Sequence, residues 1–376
     1  MTDQLTAVDR ATARRFVDEH IAPHAGAWDR AGRVPDEVLA RIAESGLWAP
    51  FLPPELGGSA TDLVTLGAVH EEFGRACSSV RSLLTVHTMV AWALRRWGTA
   101  EQRERWGREL GTGRALGAFC LSEPEAGSDT AAIATTARAE RGGWVLDGVK
   151  TWITGGQRAD LFLVFARGPA ATVALLVPRD TPGVRVTPID DMLGTRASML
   201  ARIDFREVRL GPDALLGPAG FASGMLLTGT LDLGRYSVAA GSVGIVQACL
   251  DASADHCARR VVGGVPLRDL PLIRAKVSDM VTDARAARLL VAEAGRLKDA
   301  GDEATLAATW VAKYFASTAA ARHATEAVQI HGAAGCAGDH PVSRYYRDAK
   351  VMEIIEGSSE IQRLTIADEA YRRRGA

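Results

Sequence analysis

Apolar residues recur at three- and four-residue spacing through residues 1–116 of the chain. The clearest stretches are ATARRFVDEHIAPHAGAW, PDEVLARIAESG, DLVTLGAVHEEFGRAC, VRSLLTVHTMVAWALRRWG and AEQRERWGREL. This spacing is typical of amphipathic helices that bury one face against a core. The pattern therefore predicts an N-terminal helical domain over residues 1–116.

The period of the pattern changes at about residue 117. Short β-rich runs follow, separated by Gly, Pro and Asp turn signals: WVLDGVKTWIT, LFLVFAR, ATVALLVP, GVRVTPI and ARIDFREVRL. They predict a small sheet or barrel over residues 117–220. Long helical pieces return over residues 221–376, ending with SEIQRLTIADEAYRRR, and suit an antiparallel bundle. The order predicts an α+β protein with helices packed on both sides of one β module.

Composition adds few constraints. The chain has 376 residues, of which 47% are hydrophobic and 24% charged, with a formal net charge of -1, as in an ordinary soluble globular protein. This balance gives no indication of nucleic-acid binding. The charged N-terminal stretch lacks the apolar core of a secretory signal, and no apolar run suggests a membrane span. We therefore expect a cytoplasmic protein.

The cysteines and histidines do not suggest a metal centre or a disulfide framework. The five cysteines are scattered without a CxxC pair, and we expect them to be reduced: Cys77, Cys120, Cys249, Cys257 and Cys336. His331, Cys336 and His340 lie close in sequence, as do His20 and His24. Neither group has a third ligand at the spacing of known sites, so we expect no metal.

Two stretches in the middle of the chain have the composition of a ligand site. CLSEPEAGSDTAA, residues 120–132, is a turn whose free backbone donors could bind a polar ligand, although a plain interdomain turn has the same composition. In KTWITGG, residues 150–156, strand alternation would place Trp152 and Thr154 on one face. An aromatic plane beside a hydroxyl suits a flat heteroaromatic ligand, while core packing is the alternative.

A glutamate near the C-terminus interrupts an apolar segment. In VMEIIEGSSEIQRL, Glu356 follows Met352 and Ile355 and precedes a glycine and two serines. Apolar neighbours would exclude water and raise the pKa of the carboxyl group toward neutrality, which suits a general base. Ser359 and Gln362 have capping-box spacing, which predicts a helix start here. A surface acid in front of a helix is the plainer interpretation.

Six stretches in order resemble the acyl-CoA dehydrogenases along nearly the whole chain: LPPELGG, CLSEPEAGSDT, DGVKTWITGG, RRVVGGVPLRDLPLIRAKVSDM, AVQIHGAAG and RYYRDAKVMEIIEGSSEIQRLTIA. The resemblance implies an N-terminal helical domain, a middle β-barrel domain and a C-terminal four-helix bundle. It also implies a homodimer or homotetramer, with FAD bound between subunits.

The same resemblance implies roles for individual residues. Glu356 matches the base that removes the α-proton of an acyl thioester, and the rival base position on another helix is occupied by Gly234. The residues matching FAD contacts are Phe119, Leu121, Ser122, Trp152, Thr154, Arg260, Gln329, Gly332, Ser358 and Glu360. Departures from the family pattern at Val262, Gly263 and Cys336 imply that the adenosine end is held differently.

The substrate is indicated by one further resemblance. SSVRSLLTVHT is similar to a segment of glutaryl-CoA dehydrogenases whose arginine meets the distal carboxylate of a diacid, and Arg81 is the matching residue. A buried arginine would select an anionic or oxygen-rich acyl end, although a helix arginine is commonly solvated or paired. Ser128 and Arg235 match positions beside the pantetheine arm.

The whole chain also resembles family members of polyketide clusters that oxidise a three-carbon, glyceryl-derived group on an acyl carrier protein. The sequence therefore predicts an FAD-dependent dehydrogenase of a short polar acyl thioester in extender-unit biosynthesis, carried on that protein rather than on CoA. One alternative is a conventional short-chain or glutaryl-type acyl-CoA dehydrogenase that passes electrons to an electron-transferring flavoprotein. A second is a flavin-free relative that acts as a binding or assembly partner.

Overall fold

The computed structural model describes residues 8–218 and 220–372, so the outermost parts of the predicted terminal domains lie outside the described residues. The N-terminal region is helical, as predicted: α1 Arg10–His20, α2 Ala25–Ala31, α3 Asp36–Glu44, α4 Leu63–Ala76, α5 Ser78–Trp97 and α6 Ala100–Gly111. The first predicted helix is divided into α1 and α2 around Pro23, where the ring removes a backbone donor. Thr99 and Gln102 form a capping box that begins α6.

The middle region forms a sheet. Its strands are β1 Gly117–Cys120, β2 Thr136–Glu140, β3 Gly143–Ile153, β4 Leu161–Arg167, β5 Thr172–Pro178, β6 Val184–Pro188 and β7 Ala201–Leu210. The pairing order is β1-β4-β2-β3-β7-β6, with β5 on the other edge of β4. Among the described residues β5 and β6 do not pair with each other, so the expected barrel is a seven-stranded sheet. The predicted runs missed β1 and β2, which are short and follow turn-rich sequence.

β4 joins the sheet to the helical core. Leu163 and Phe165 pack with Phe119 in the core shared with the helices, whereas Phe162 and Val164 pack inside the sheet domain. Because alternate strand residues point to opposite faces, a strand buried on both faces reads as a continuous apolar run. This packing places β1 and the segment after it at the boundary between sheet and helices.

The C-terminal region contains α7 Leu227–Arg259, α8 Pro271–Ala300, α9 Thr305–His331, α10 Pro341–Ile354 and α11 Ser359–Arg372, with a two-residue hairpin of β8 Val261–Val262 and β9 Val265–Pro266. α7, α8 and α9 pack against one another, α10 packs on α7 and α9, and α4 also packs on α7. The bundle agrees with the prediction, although α10 was not among the helices that the pattern indicated.

α7 is the longest helix of the described residues. Extended by the preceding turn to Ala222–Arg259, it is the one helix of the described chain whose length and composition would suffice to cross a membrane. Most of its apolar surface is buried inside the protein. It is therefore the central helix of the bundle core, which explains its composition without a membrane.

Hydrogen bonds fix the sheet domain onto the helices. The peptide N–H of Thr195 donates to the buried carboxylate of Asp348 on α10 at 2.6 Å, and that of Ala197 donates to Ser79 on α5 at 3.2 Å. Burial raises the pKa of Asp348 to about 6. These contacts hold the loop after β6 against the end of the molecule that carries the candidate site.

Candidate functional site

A strained loop separates α10 from α11. Ile355 caps α10, and the next two residues have left-handed backbones, Glu356 with φ of 57° and Gly357 with φ of 95°. Glycine adopts such angles freely, but a glutamate does so at a cost of roughly 1 kcal/mol or more. Such strain persists where surrounding contacts over-determine it and is common at functional sites.

Side chains from three helices hold the carbonyl groups of this loop. Arg235 Nε on α7 donates to Glu356 O at 3.0 Å, and Lys313 Nζ on α9 donates to Gly357 O at 2.7 Å. Gln362 Nε2 on α11 donates to both carbonyl oxygens at 3.3 Å. The conformation of Glu356 is therefore set from outside its own segment.

The predicted capping box at this helix start is wrong. α11 begins at Ser359, and Ser358 lies at the capping position, its hydroxyl accepting from Ile361 N–H at 3.5 Å. The carbonyl of Ser358 also accepts from Gln362 N–H at 3.0 Å. The side chain of Gln362 is already engaged by the loop carbonyls, so it does not complete a box. Glu360 lies exposed in the first turn, and hydrogen bonds from the Ser358 side chain and from its own backbone N–H lower its pKa.

The carboxylate of Glu356 points into the protein. Its Oε2 is buried and has no hydrogen-bond partner among the described residues. A Cβ added to Gly234 would lie 2.4 Å from this Oε2 and 2.8 Å from Met89 Sδ. The carboxylate therefore packs against the backbone of α7, at the rival base position that the sequence leaves as glycine.

Burial raises the pKa of Glu356 to about 7, as the apolar approach predicted. Three cationic side chains oppose that rise: Arg235, Lys313 and Arg81. Among the described residues none of them forms an ion pair with Glu356 within 4.0 Å. The group is thus poised to exchange a proton near neutral pH.

Arg81 on α5 is fully buried. Its Nη1 donates to Thr85 Oγ1 at 2.9 Å and its Nη2 to Ser82 Oγ at 3.0 Å, while Nε has no partner among the described residues. Burial lowers its pKa to about 10, so it remains a cation at neutral pH. A Cβ on Gly241 would come within 2.8 Å of its side chain. The structure thus accommodates a buried positive charge whose hydrogen-bond partners are neutral.

A hydroxyl network continues from Arg81. Thr85 Oγ1 lies 2.6 Å from Ser237 Oγ, which lies 2.7 Å from His70 Nδ1. Burial lowers the pKa of His70 to about 3, so the ring is neutral. The network therefore satisfies Arg81 and Thr85 with polar groups and does not neutralise the guanidinium.

The two sequence stretches singled out in the middle domain meet in the structure. Thr151 N–H donates to Ser122 O at 2.9 Å. Lys150 Nζ donates to Leu121 O at 2.8 Å and to Glu123 Oε1 at 2.6 Å in a buried ion pair. Glu123 also accepts from two backbone N–H groups of the same turn. The acid in this turn therefore organises the loop, a role that sequence reasoning did not identify.

Trp152 and Thr154 occupy the edge of this assembly, but simple strand alternation does not place them there. Trp152 has φ of 60° within a register shift of β3, and Thr154 follows the last strand residue in a turn. The indole is 55% exposed. The hydroxyl of Thr154 has no partner among the described residues. An exposed aromatic plane and a free hydroxyl therefore lie two residues apart in sequence, directly after the contact between Thr151 and Ser122.

α5 connects these residues with Glu356. A Cβ on Gly155, next to Thr154, would contact Leu83 and Val86 of α5 at 3.2 and 3.9 Å. Three residues beyond Val86 on α5, Met89 lies against Gly234 and the Glu356 carboxylate. The predicted flavin-ring residues and the predicted base therefore flank one helix.

Three other predicted cofactor residues lie at the far end of the bundle. Arg260, Gln329 and Gly332 are exposed at the C-terminal ends of α7 and α9. Gln329 is 16 residues beyond Lys313 on α9, which corresponds to about 24 Å. The chain therefore places its candidate cofactor residues in two separate groups.

Three histidines stack near this second group. The rings of His256 and His331 lie 4.3 Å apart, and those of His331 and His340 lie 4.8 Å apart. Burial and the neighbouring His331 lower the pKa values of His256 and His340. Within residues 8–218 and 220–372 no group of three His, Cys, Asp or Glu side chains could hold a metal ion.

An open cavity of about 430 Å³ lies between the sheet and the start of α7. Its lining includes Leu121, Thr130, Arg167, Ser223 and Leu227. The exposed guanidinium of Arg167 has no partner among the described residues. The predicted substrate residue Ser128 is exposed in the same loop as Thr130, two residues earlier. Leu227 is seven residues before Gly234 on α7, a helical rise of about 10 Å. Since the Glu356 carboxylate packs against Gly234, the cavity lies about this far along α7 from the carboxylate.

Family models match most of the chain. The N-terminal, middle and C-terminal domain models of acyl-CoA dehydrogenases match residues 6–114, 118–208 and 223–371. The chain therefore belongs to the acyl-CoA dehydrogenase family, and it is an FAD-dependent enzyme that oxidises acyl thioesters. The exact domain boundaries drawn from the sequence stay a prediction.

Individual relatives cover nearly the full length. The mitochondrial short-chain specific acyl-CoA dehydrogenase of Bos taurus is 38% identical over 95% of this chain and 88% of its own. The solved structure of FkbI, for biosynthesis of the methoxymalonyl extender unit of the Fk520 polyketide, is 36% identical, covers 96% and 99% of the two chains, and has a TM-score of 0.90. A Mycobacterium smegmatis glutaryl-CoA dehydrogenase in complex with FADH2 is 28% identical, covers 96% and 93%, and has a TM-score of 0.92.

The residues present fit FAD. The exposed indole of Trp152 offers a stacking plane, and the unpartnered hydroxyl of Thr154 offers a hydrogen bond to a ring nitrogen. Arg260 is exposed without an acidic partner, as a phosphate contact requires.

Proposed function

We propose that this protein oxidises a short polar acyl thioester, carried on an acyl carrier protein, during biosynthesis of a polyketide extender unit. The observation that carries the proposal is the Glu356 carboxylate, whose Oε2 is buried without a hydrogen-bond partner among the described residues and whose pKa is raised to about 7, with the cation Arg81 nearby. The likeness to FkbI, a protein for biosynthesis of a methoxymalonyl extender unit, supports a role in extender-unit biosynthesis.

Glu356 acts as the general base. In its ionised form it removes the α-proton of the acyl group, and Oε2 is free to accept that proton because no protein group binds it. The peptide N–H of Glu356 donates to no acceptor among the described residues, so it is available to the thioester carbonyl. A donor aimed at that oxygen stabilises the charge that develops as the proton leaves.

The chemistry that bound FAD supplies is acceptance of the hydride that leaves the β-carbon. Near the flavin ring we assign Phe119, Leu121, Ser122, Trp152, Thr154, Ser358 and Glu360, and from a neighbouring subunit Arg260, Gln329 and Gly332. Arg235 fixes the Glu356 carbonyl, and the aromatic and aliphatic members of the ring group exclude water from the reacting carbons.

Arg81 selects the acyl group. Its guanidinium is buried, charged and bonded to hydroxyls, so a hydroxyl- or carboxylate-bearing acyl end would gain a charge-assisted hydrogen bond. An aliphatic chain would leave that cation uncompensated, which penalises fatty substrates. The selectivity for polar acyl groups is thus a consequence of the burial of the Arg81 guanidinium.

The pantetheine arm enters through the cavity beside Thr130 and Arg167. Ser128 is exposed two residues before Thr130 of the cavity wall, and Arg235 holds the carbonyl of Glu356, where the arm would end. The cavity begins about 10 Å from the carboxylate along α7, within the length of a pantetheine arm. Arg167 is placed to meet the phosphate at the outer end.

The test is anaerobic loss of the visible flavin absorbance. Matched polar and aliphatic three- and four-carbon acyl groups are presented on CoA and on an acyl carrier protein. We expect fast bleaching with the polar, carrier-bound form and none with Glu356→Gln, which retains FAD but cannot take the proton. Bleaching of Glu356→Gln at the wild-type rate would refute the role of Glu356.

The conventional alternative gives a different result in the same assay. Preferential bleaching by butyryl- or glutaryl-CoA would assign the enzyme to acyl-CoA catabolism with an electron-transferring flavoprotein as acceptor. The similarity to the short-chain specific acyl-CoA dehydrogenase of Bos taurus favours this alternative. A homodimer or homotetramer and a cytoplasmic location are part of the proposal. Mass measurement of the FAD-loaded protein checks the oligomer.

A further inference from the structure

Lys313 is a buried lysine whose described neighbours provide no ion pair. It lies on α9 with no exposed surface, between small residues of the bundle core. Its Nζ donates to Gly357 O at 2.7 Å and to Glu353 O at 3.3 Å. Burial lowers its pKa to about 8, so it is still mostly a cation at neutral pH. Packing alone does not require such a side chain, because an apolar residue of similar size would avoid the cost of burying a charge.

Both acceptors belong to the segment that carries Glu356. Glu353 is in the last turn of α10, whose terminal carbonyls lack helical partners and carry the negative end of the helix dipole. Gly357 is the second of the two left-handed residues. Lys313 therefore ties the end of α10 to the residue immediately after Glu356.

We infer that Lys313 is a positioning residue for the dehydrogenation: it holds Glu356 in its left-handed conformation and places a fixed positive charge beside the carboxylate, without touching substrate. The inference rests on the proposed role of Glu356 as the base. Arg235 holds the carbonyl of Glu356, and Gln362 holds the carbonyls of both Glu356 and Gly357, so three helices support the loop together with Lys313.

The charges around Glu356 come from every helix packed on the loop. Arg235 projects from α7, Arg81 from α5 and Lys313 from α9, and each favours the ionised carboxylate. Glu353 and Glu360, on α10 and α11, face Lys313 and favour its charged form. Removing the charge of Lys313 leaves two of the three cations and should raise the pH at which Glu356 ionises.

Three substitutions separate geometry from charge. Lys313→Arg keeps both the charge and the donors, Lys313→Gln keeps a donor without the charge, and Lys313→Met keeps neither. We expect Lys313→Met to lower the rate of anaerobic flavin bleaching about 100-fold, because a displacement near 1 Å has that effect, with little change in substrate affinity. We expect the acid limb of the pH profile to move upward in Lys313→Gln and Lys313→Met and to stay in place in Lys313→Arg.

The controls distinguish a positioning role from a structural one. Lys276→Met removes a partly exposed lysine of α8 that pairs with Glu326, and it should leave the pH limb unchanged. FAD content and thermal unfolding identify variants that fail to fold. If Lys313→Met folds poorly, Lys313→Arg still tests the inference, because this variant must retain both the wild-type bleaching rate and the wild-type position of the acid limb.

Two outcomes would overturn the inference. One is a Lys313→Met enzyme with the wild-type bleaching rate and pH limb. The other is a rate loss in all three variants with no shift of the limb, which would indicate loss of fold alone. Failure of the proposed function is recognised separately, because wild-type protein would then not bleach with any acyl thioester or Glu356→Gln would still do so.

Discussion

Gly234→Ala is the substitution that tests most directly how Glu356 is packed. The added Cβ would lie 2.4 Å from Glu356 Oε2 and 2.7 Å from its Cδ, whereas ordinary contact begins at 3.4 Å. The carboxylate must therefore retreat by about 1 Å, and a misplacement of that size costs about 100-fold in rate. At 1.36 kcal/mol per tenfold this corresponds to about 2.7 kcal/mol of activation free energy.

The same substitution should have a small effect on stability. Gly234 is inside α7, where alanine improves helix propensity by about 1 kcal/mol relative to glycine. Overpacking against Met89 and Glu356 costs about 1 to 3 kcal/mol, and a flexible methionine relieves part of it. We therefore expect a melting temperature within a few degrees of wild type and normal FAD content.

The assay is stopped-flow flavin bleaching, with Gly229→Ala as the matched control. An added Cβ on Gly229, also on α7, would press on Trp92 and Trp97 at 2.9 and 3.1 Å and does not reach Glu356. It should change stability by a similar amount and leave the rate unchanged. A Gly234→Ala enzyme that reacts at the wild-type rate would refute the packing argument, because Glu356 would then tolerate displacement or not be the base.

Three more predictions follow from the site. The kcat/KM value should rise with pH through about 7, where Glu356 ionises in the free enzyme. Because the pKa of Glu356 is higher in the folded than in the unfolded protein, this group lowers the free energy of unfolding as pH rises from about 4.5 to 7. Glu356→Gln should remove this pH dependence of the melting temperature. Arg81→Ala should lower kcat/KM for polar or anionic acyl groups about 100-fold while sparing aliphatic ones, and equal losses on both would show that Arg81 lies outside the acyl pocket. Arg167→Ala should raise the KM of phosphopantetheine-linked substrates but not that of a short N-acetylcysteamine thioester. As a control, Arg141→Ala should change neither KM, because Arg141 lies about 16 Å along β2 from Thr136, the residue that pairs with Arg167.

Sequence reasoning reached Glu356 and the cofactor stretches because local chemistry is visible in local sequence. An acid after apolar residues predicts a carboxyl group shielded from water with a raised pKa, and the structure has both features, whereas the left-handed backbone of Glu356 was not predicted. Lys313 could have been noticed as a charge within the apolar stretch AATWVAKYFAS of α9. Its partners could not be named, because Gly357 lies 44 residues away in sequence.

The errors have the same origin. Gln362 has the spacing of a cap, but its amide donates to the carbonyls of Glu356 and Gly357 because the loop folds back over it. Trp152 was placed by strand alternation, which a register shift at the end of β3 removes. Local spacing gives the candidate contacts, and the competing tertiary contacts decide which of them form.

By itself, the sequence determined the order of helical, β and helical regions and the residue types at the site, because hydrophobic periodicity and backbone chemistry act over a few residues. The tertiary structure alone decided that Arg81, Arg235 and Lys313 surround one carboxylate from three different helices. Side chains separated by 40 to nearly 300 residues in sequence meet only when the bundle packs, and the pKa of Glu356 depends on the burial and charge that this packing creates.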